Sequence, residues 1–583
     1  MREQLKRLRE AMARSGVDVY LIPTTDFHGS EYVNDYFKCR RFISGFTGSA
    51  GTLAVTQEEA WLWTDGRYFL QAENQLAGTG IGLMKMGEEG VPTIVEYLQQ
   101  ALSGGGVLGF DARVVDCATG RTLSRLGQIR CDLDLAGQIW TDRPPIKPGE
   151  IYSLPESVTG EPAASKLSRI YAYLQSKGAD YHLITKLEDI AWLFNLRGSD
   201  IENTPVFFAF ALLGKDFVNL YLMDETTSAA KSLAASIPQL KVLPYLQVFD
   251  DMGKLKAGST ILLDENLASY AFISALPETV SVINDRNPAE LMKALKNRTE
   301  IDSTLKAHLR DGAAVVNFIY WLKHHIGRET ITEISAADYL ENCRRQQPGF
   351  KDLSFETISG YQENGAIIHY GPTPETDKTL RAEGFLLVDS GGQYEDGTTD
   401  ITRTIALGPL TREMKEHYTA VLRCHIKLAS AVFPEGTTGA QLDAVARGPL
   451  HQLGLDYNHG TGHGVGHLLS VHEGPQSISP RCTGVPLYPG MITSNEPGLY
   501  LENRYGIRLE NEILCQQLPS GALGFVTITS CPFEREAILP ELMTGEELDW
   551  LNHYHLQVYN NLAPLLTEET ALWLKEATSP MEK

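Results

Sequence analysis

Cysteine is scarce and scattered. The eight in this 583-residue chain, Cys39, Cys117, Cys131, Cys343, Cys424, Cys482, Cys515 and Cys531, form no C-x-x-C pair. That excludes a sequence-visible zinc ribbon or redox dithiol and reads as reduced thiols in a cytoplasmic protein. Long apolar runs are missing as well. The longest, Pro205 to Leu213, falls far short of the ~18–20 residues that cross a bilayer, so no membrane partner is expected. The opening MREQLKRLREAMARSGVD mixes charged and apolar residues at helical spacing. It lacks the apolar core of a signal peptide and reads as part of the fold. Basic charge is in deficit: 51 Lys and Arg against 73 Asp and Glu leave a net −22, which argues against a nucleic-acid backbone as principal partner. Two common site signatures are absent. GFTGSAG lacks the spacing and following helix of a dinucleotide loop, and no G-x-S-x-G nucleophile elbow occurs. Asn297-Arg298-Thr299 matches a glycosylation acceptor but sits in a charged helical run, where chance is the better account.

What remains is a globular composition, 43% hydrophobic and 21% charged, with length enough for three or four domains. Two stretches begin alike. SGVDVYLIP near residue 20 and KGADYHLIT near residue 182 each join a short helix to a buried strand, and each runs into a Gly-Ser turn before a second apolar strand, Gly48-Ser49 and Gly198-Ser199. This weak repeat predicts two tandem α/β domains. The proline-rich TDRPPIKPGEIYSLPE between them reads as a linker. A third region opens with AELMKALKNRTEIDSTLKAHLRDGAAVVNFIYWLKHHIG, one long helix or two in succession. It continues through helices near 411–432 and 439–453 mixed with strand-like runs, an α+β pattern. The tail ELMTGEELDWLNHYHLQVYNNLAPLL reads as an amphipathic helix that docks onto the domain surface or a second subunit. The expected blocks are 1–145, 146–296 and 297–583.

Chemistry-bearing residues concentrate between 365 and 512. In VDSGGQYEDGTTDITRT, Asp389 ends one strand and Asp400 begins the next, with Gly391, Gly392 and Gly397 between them. A hairpin of that length can set the carboxylates side by side, where they must be neutralised by a proton or a cation. Four of the 15 histidines, His459, His463, His467 and His472, fall in YNHGTGHGVGHLLSVHEGP. The intervening glycines cost a helix about 1 kcal/mol each, so an H-E-x-x-H helix is rejected for an extended segment in which alternate side chains face one cavity. The competing view is a loop with incidental histidines. Glu496 precedes a Pro-Gly turn, and Glu510 lies in the middle of an apolar strand, Ile507 to Asn511, where it needs a metal or a salt bridge to Arg508 or Arg403. Taken together, Asp389, Asp400, His463, Glu496 and Glu510 carry four negative charges, which two divalent ions cancel. The mostly oxygen set suits Mn²⁺, Co²⁺, Fe²⁺ or Zn²⁺ in a two-metal hydrolytic centre.

These segments, with GAIIHYGP, SNEPGLY and GIRLENE, resemble the aminopeptidase P (Xaa-Pro aminopeptidase) group of the pita-bread metallopeptidases in its long three-domain form. RRFISGFTGSAG, WTDGRYFLQA and IAWLFNLRGSDI extend the likeness over nearly the whole chain. The resemblance implies two creatinase-like α/β domains followed by a pita-bread α+β domain. It implies two divalent ions, manganese first, with zinc or cobalt also accepted. It implies release of the residue before proline from Xaa-Pro peptides, by activated water attacking the Xaa carbonyl, in a cytoplasmic homodimer. By the same resemblance Asp389 and Asp400 bind one ion, Asp400 and Glu510 bridge, and His463 and Glu496 complete the ligand set of the second ion. Glu496 doubles as proton acceptor, His369 shuttles a proton, His472 donates to the developing oxyanion and His459 walls the proline pocket. His467 departs from the family pattern and is given no catalytic role. A prolidase shares the metal motif, but the two preceding domains favour longer peptides. A creatinase-like enzyme or a non-catalytic binding module would lack the five-ligand set.

Overall fold

The computed structural model describes residues 2–482 and 484–583. Two compact units form, one from Met1–Pro155 with Glu161–Ala289 and one from Glu156–Gly160 with Glu290–Lys583.

The first unit builds one topology twice. Its first sheet has the strand order Gly82–Lys85, Ala60–Thr64, Thr52–Thr56, Val19–Pro23, Val107–Gly109, Gln128–Arg130. The second has the order Leu240–Pro244, Phe217–Leu222, Ala209–Gly214, Tyr181–Ile184, Thr260–Leu263, Ser281–Asn284. In both, the opening strand pairs antiparallel with the strand after the Gly-Ser turn and parallel with the one on its other side. The repeat seen in SGVDVYLIP and KGADYHLIT is thus a repeat of whole sheets. Alternate residues of a strand face opposite ways. Tyr20 and Ile22 join Leu5, Leu8 and Met12 of the helix Glu3–Ser15, while Val19 and Leu21 join Leu98 and Phe110 across the sheet. Helical segments on both faces give the α/β class. The stretch expected as a linker is folded in its second half: Tyr152–Ser153 pairs with Leu196–Arg197. The Asp200 carboxylate accepts the Gly149 N–H at 2.5 Å and the Phe208 N–H at 2.7 Å, so proline content marks a constrained path here rather than a loose one.

In the second unit the long helical pattern resolves into two helices, Pro288–Ala294 and Arg298–His325. Asn297 separates them by accepting the Glu300 N–H while Glu300 returns to the Asn297 N–H, a capping box whose N-cap is worth ~1 kcal/mol. Its Nδ2 also donates to the Thr159 carbonyl at 2.8 Å, which gives the asparagine a structural use. Helices Arg412–Ala429 and Gly439–His451 follow, as the periodicity predicts. Three strands, Ile358–Tyr361, Phe385–Ser390 and Ile401–Ala406, form one antiparallel sheet, and Gly498–Leu501 pairs separately with Tyr505–Arg508. A six-stranded sheet has the order Val432–Phe433, Leu523–Thr527, Asn511–Gln517, Ile492–Asn495, Gly462–Gly464, Glu473–Ile478.

The tail helix Gly545–Leu562 does more than cover a surface. Leu551, Tyr554, Val558 and Leu562 join the same core as Val316, Leu386 and Ile405. Its Tyr554 OH donates to the Cys531 carbonyl at 2.7 Å and accepts from Arg403 at 3.1 Å. Arg403 in turn donates to the main-chain oxygens of Glu510 at 2.6 Å and Cys531 at 2.7 Å. Among the described residues no helix is long and apolar enough to cross a membrane.

Candidate metal centre

Strands Phe385–Ser390 and Ile401–Ala406 pair with Asp389 opposite Thr402 and Ser390 opposite Ile401. The chain between them forms a smaller hairpin, Gly392–Tyr394 with Gly397–Thr398. Gly391 admits no side chain there, because a Cβ would lie 1.9 Å from the Thr399 oxygen. Residues two apart share a strand face, so Asp400, just before the strand, falls on the face of Thr402 and Asp389.

Glu510 takes a different course from the one its sequence pattern predicts. The chain leaves one strand at Arg508 and enters another at Asn511. Tyr505–Arg508 belongs with Gly498–Leu501, whereas Asn511–Gln517 belongs with Ile492–Asn495. Glu510 sits at this changeover, not in mid-strand. Its N–H donates to the Thr402 carbonyl at 3.1 Å, and its Oε2 accepts from Thr402 Oγ1 at 2.7 Å. Neither arginine pairs with its carboxylate. Arg508 donates to Asp389 Oδ2 at 2.6 and 3.2 Å, and Arg403 reaches only the Glu510 main chain.

His463 occupies the centre of the three-residue strand Gly462–Gly464. The flanking glycines are required: a Cβ would stand 2.0 Å from the Ser494 oxygen at Gly462 and 2.2 Å from the Glu473 oxygen at Gly464. The segment is therefore extended where it carries His463, as its glycines imply. The His463 Nδ1 lies 2.9 Å from the Gly464 oxygen, which assigns the proton to Nδ1 and turns Nε2 toward Asp400 Oδ2 and Glu496 Oε1, each at 3.4 Å. Glu496 is fixed by its N–H to the Thr461 oxygen at 2.8 Å and by Ser494 Oγ donating to Oε1 at 3.0 Å. Ligand atoms of Asp400, His463 and Glu510 all lie within 4.8 Å of one another.

The electrostatics of the cluster call for a cation. Burial, with the charges of Asp389 and Glu496 in support, pushes the Asp400 carboxyl up to about 6 against the opposing hydrogen bond to His463. Burial and the charges of Asp400, Asp389 and Glu496 hold Glu510 well above the usual carboxylate range. Burial disfavours the charged His463 ring, yet Asp400 and Glu496 outweigh it and push that ring up to about 10. Asp389 Oδ1, Asp400 Oδ1 and Glu510 Oε1 are buried and accept no hydrogen bond. Buried carboxylate oxygens without donors are costly, and divalent ions would fill that role. The donor set of four carboxylates and one imidazole fits them.

His472 adjoins the cluster, and His459 is linked to it through Tyr500 and Arg508. The His472 ring meets His463 edge-on, centroids 4.4 Å apart and planes at 90°. Arg508 Nη1 donates to the Tyr500 hydroxyl oxygen at 2.8 Å, so the Tyr500 O–H is left to donate to His459 Nε2, also at 2.8 Å. The His459 Nδ1 then donates to the Gly460 oxygen at 2.7 Å. Burial, followed by the Arg508 charge, drives His459 down to about 3, so it is a neutral wall. His369 lies in the turn after the short helix Gln362–Ala366, near enough for its charge to lower His459 further. His467 is turned elsewhere: its Nδ1 is 3.1 Å from Thr304 Oγ1 and its Nε2 3.2 Å from the Val158 oxygen.

The chain is 40% identical over 612 residues to a probable Xaa-Pro aminopeptidase P of Sordaria macrospora, covering 99% of each. It is 38% identical over 632 residues to aminopeptidase P2 of Arabidopsis thaliana, covering 100% of this chain and 89% of that one. The X-prolyl aminopeptidase of Caenorhabditis elegans, described as a cytosolic enzyme with a di-nuclear active site, matches with a TM-score of 0.94 at 34% identity over 99% of both chains. The chain belongs to the Xaa-Pro aminopeptidase P family. Residues 302–517 match the model of metallopeptidase family M24, and 521–581 its C-terminal region. Residues 4–137 and 142–300 match the creatinase/prolidase N-terminal domain. As a member of this family it is a metallopeptidase with two creatinase-like domains and a pita-bread domain.

Several residues of the site in this aminopeptidase were not singled out by its sequence. The sequence pattern offers Arg508 only as a partner for Glu510 and gives Tyr500 and Thr402 no role. The available signal was Arg508 itself, a cation set among Ile507 and Leu509 with no reason to be buried unless a carboxylate awaited it.

Proposed function

We propose that the protein removes the first residue from peptides with proline in second position, using two divalent ions held by Asp389, Asp400, His463, Glu496 and Glu510. The carrying observation is the set of buried, donor-free oxygens on Asp389, Asp400 and Glu510 around His463, in a chain similar over its length to Xaa-Pro aminopeptidases. Asp389, Asp400 and Glu510, with His463 and Glu496, would hold the pair of ions. Manganese suits the oxygen-rich donors; zinc and cobalt also fit. When bound, such ions polarise the scissile carbonyl and lower the pKa of nearby water.

The chain's own groups do the rest. Glu496 accepts a proton from the attacking water. His472 donates a hydrogen bond to the oxygen on which charge develops. His369 delivers a proton to the proline nitrogen, which has no N–H of its own in the peptide and must gain one to leave. Neutral His459 lines the pocket for the proline ring, and acidic groups near the ions hold the free α-amino group. The family reading also gives a cytoplasmic homodimer, in keeping with the cytosolic description of the Caenorhabditis enzyme.

Chelation followed by Mn²⁺ restoration tests this on an Xaa-Pro-Yaa peptide. Release of Xaa should stop and return. Full activity after chelation, or equal cleavage of Xaa-Ala peptides, overturns the proposal. Hydrolysis of Arg-Pro-Pro as against a bare Xaa-Pro dipeptide separates it from a prolidase. His369→Ala should retain both ions while turnover falls about 10²–10⁴-fold; unchanged turnover removes the shuttle.

A further inference from the structure

Glu473 follows His472 directly and opens the strand Glu473–Ile478. Its side chain is 1% exposed, and two lysines occupy its oxygens: Lys293 Nζ lies 2.7 Å from Oε2 and Lys296 Nζ 2.5 Å from Oε1, with side chains 2% and 0% exposed. Lys296 Nζ has a second acceptor, the Val465 carbonyl at 2.6 Å. The register of the two neighbouring strands slips at this place, for His463 faces Ser477 while Gly464 faces Glu473. One ammonium group thus spans an irregularity that lies between His463 and His472.

Burying three ions requires stripping water from each, and replacing such a cluster by apolar side chains is often neutral or stabilising. Stability alone is therefore a poor reason for the triad. What lysine offers and leucine cannot is a directed donor to two acceptors at once. Bulges re-aim side chains, and this irregularity falls between the strand that carries His463 and the strand that His472 directly precedes. We propose that Lys296 is a positioning residue for the reaction, bridging the Val465 carbonyl and Glu473 so that His472 is held in its donating orientation. This rests on the peptidase reading and on the role given there to His472.

Two variants test it. Lys296→Met leaves a neutral Lys293–Glu473 pair, and Lys293→Met/Lys296→Met/Glu473→Leu removes the charge altogether. Both should keep the parent's KM and bound metal. The triple variant should melt at or above the parent temperature. Both should lose at least about tenfold in kcat, because a misplacement of about 1 Å can cost about 10²-fold. A cycle with His472→Ala reads the mechanism: once His472 is gone, Lys296→Met should cost little more. Parental kcat in both variants, losses that simply multiply in the cycle, or a kcat loss accounted for by lost metal overturns the inference. A parent enzyme that fails to cleave Xaa-Pro peptides overturns the peptidase reading itself, whereas an active parent with fully active variants overturns this inference alone.

Discussion

Glu473 and Glu510 lie in the same unit and are equally hidden from water, yet their carboxyl groups are driven in opposite directions. Burial raises both. At Glu473 the charges and hydrogen bonds of Lys293 and Lys296 outweigh it and bring the carboxyl below its ordinary range. At Glu510 the neighbours are Asp400, Asp389 and Glu496, which add to the effect of burial. Of the arginines nearby, Arg508 is committed to Asp389 and Arg403 reaches only the Glu510 main chain. Where the chain supplies its own cations it makes a permanent fastening, and where it withholds them it leaves a demand that an exchangeable ion can meet.

Three measurements would break or sharpen this contrast. The largest effect is expected at the fastening. Glu473→Gln leaves two buried lysines facing a neutral amide and should destabilise the second unit by about 3–5 kcal/mol in denaturant unfolding; a change within the scatter of surface substitutions would erase the distinction. Glu510→Gln in chelated protein should act with the opposite sign and stabilise it, because burial and the neighbouring carboxylates disfavour the charged Glu510. Destabilisation there would mean that the carboxylates do not repel. The smallest signal is in the pH dependence of the chelated protein. A carboxyl pushed up to about 6 in the folded state binds more protons folded than unfolded. Its contribution is full below about pH 4 and is lost as pH rises through about 6. Melting temperatures of chelated parent and Asp400→Asn should therefore diverge between those limits. Parallel curves would show that Asp400 does not carry this slope.

The sequence revealed what is local and repeated. Two apolar strands with matching Gly-Ser turns sufficed to predict twin α/β domains, since each segment specifies its own pairing. The glycines around His463 ruled out a helix at that point for the same reason. The linker expected before Glu156 is partly folded because Asp200, far along the chain, supplies acceptors for Gly149. The break at Glu510 is hidden because the apolar positions Ile507 and Leu509 are followed in the same phase by Ile513; only the pairing partners change. Lys293 and Lys296 look like the solvent face of a helix until Glu473, brought close by the fold, turns them inward.

Arg403 ties the helix Gly545–Leu562 to the acidic cluster in a way that concerns time. It grips the main chain at Glu510, the strand end at Cys531 and the hydroxyl of Tyr554. A ribosome releases Asp389 and Asp400 long before Tyr554, and domains fold as their segments emerge. Until the helix Gly545–Leu562 arrives, Arg403 lacks the Tyr554 hydroxyl and the core around Leu551 and Val558 stays open. A nascent chain thus carries every acid of the cluster before a closed frame surrounds them, and the site matures only once the helix Gly545–Leu562 has docked.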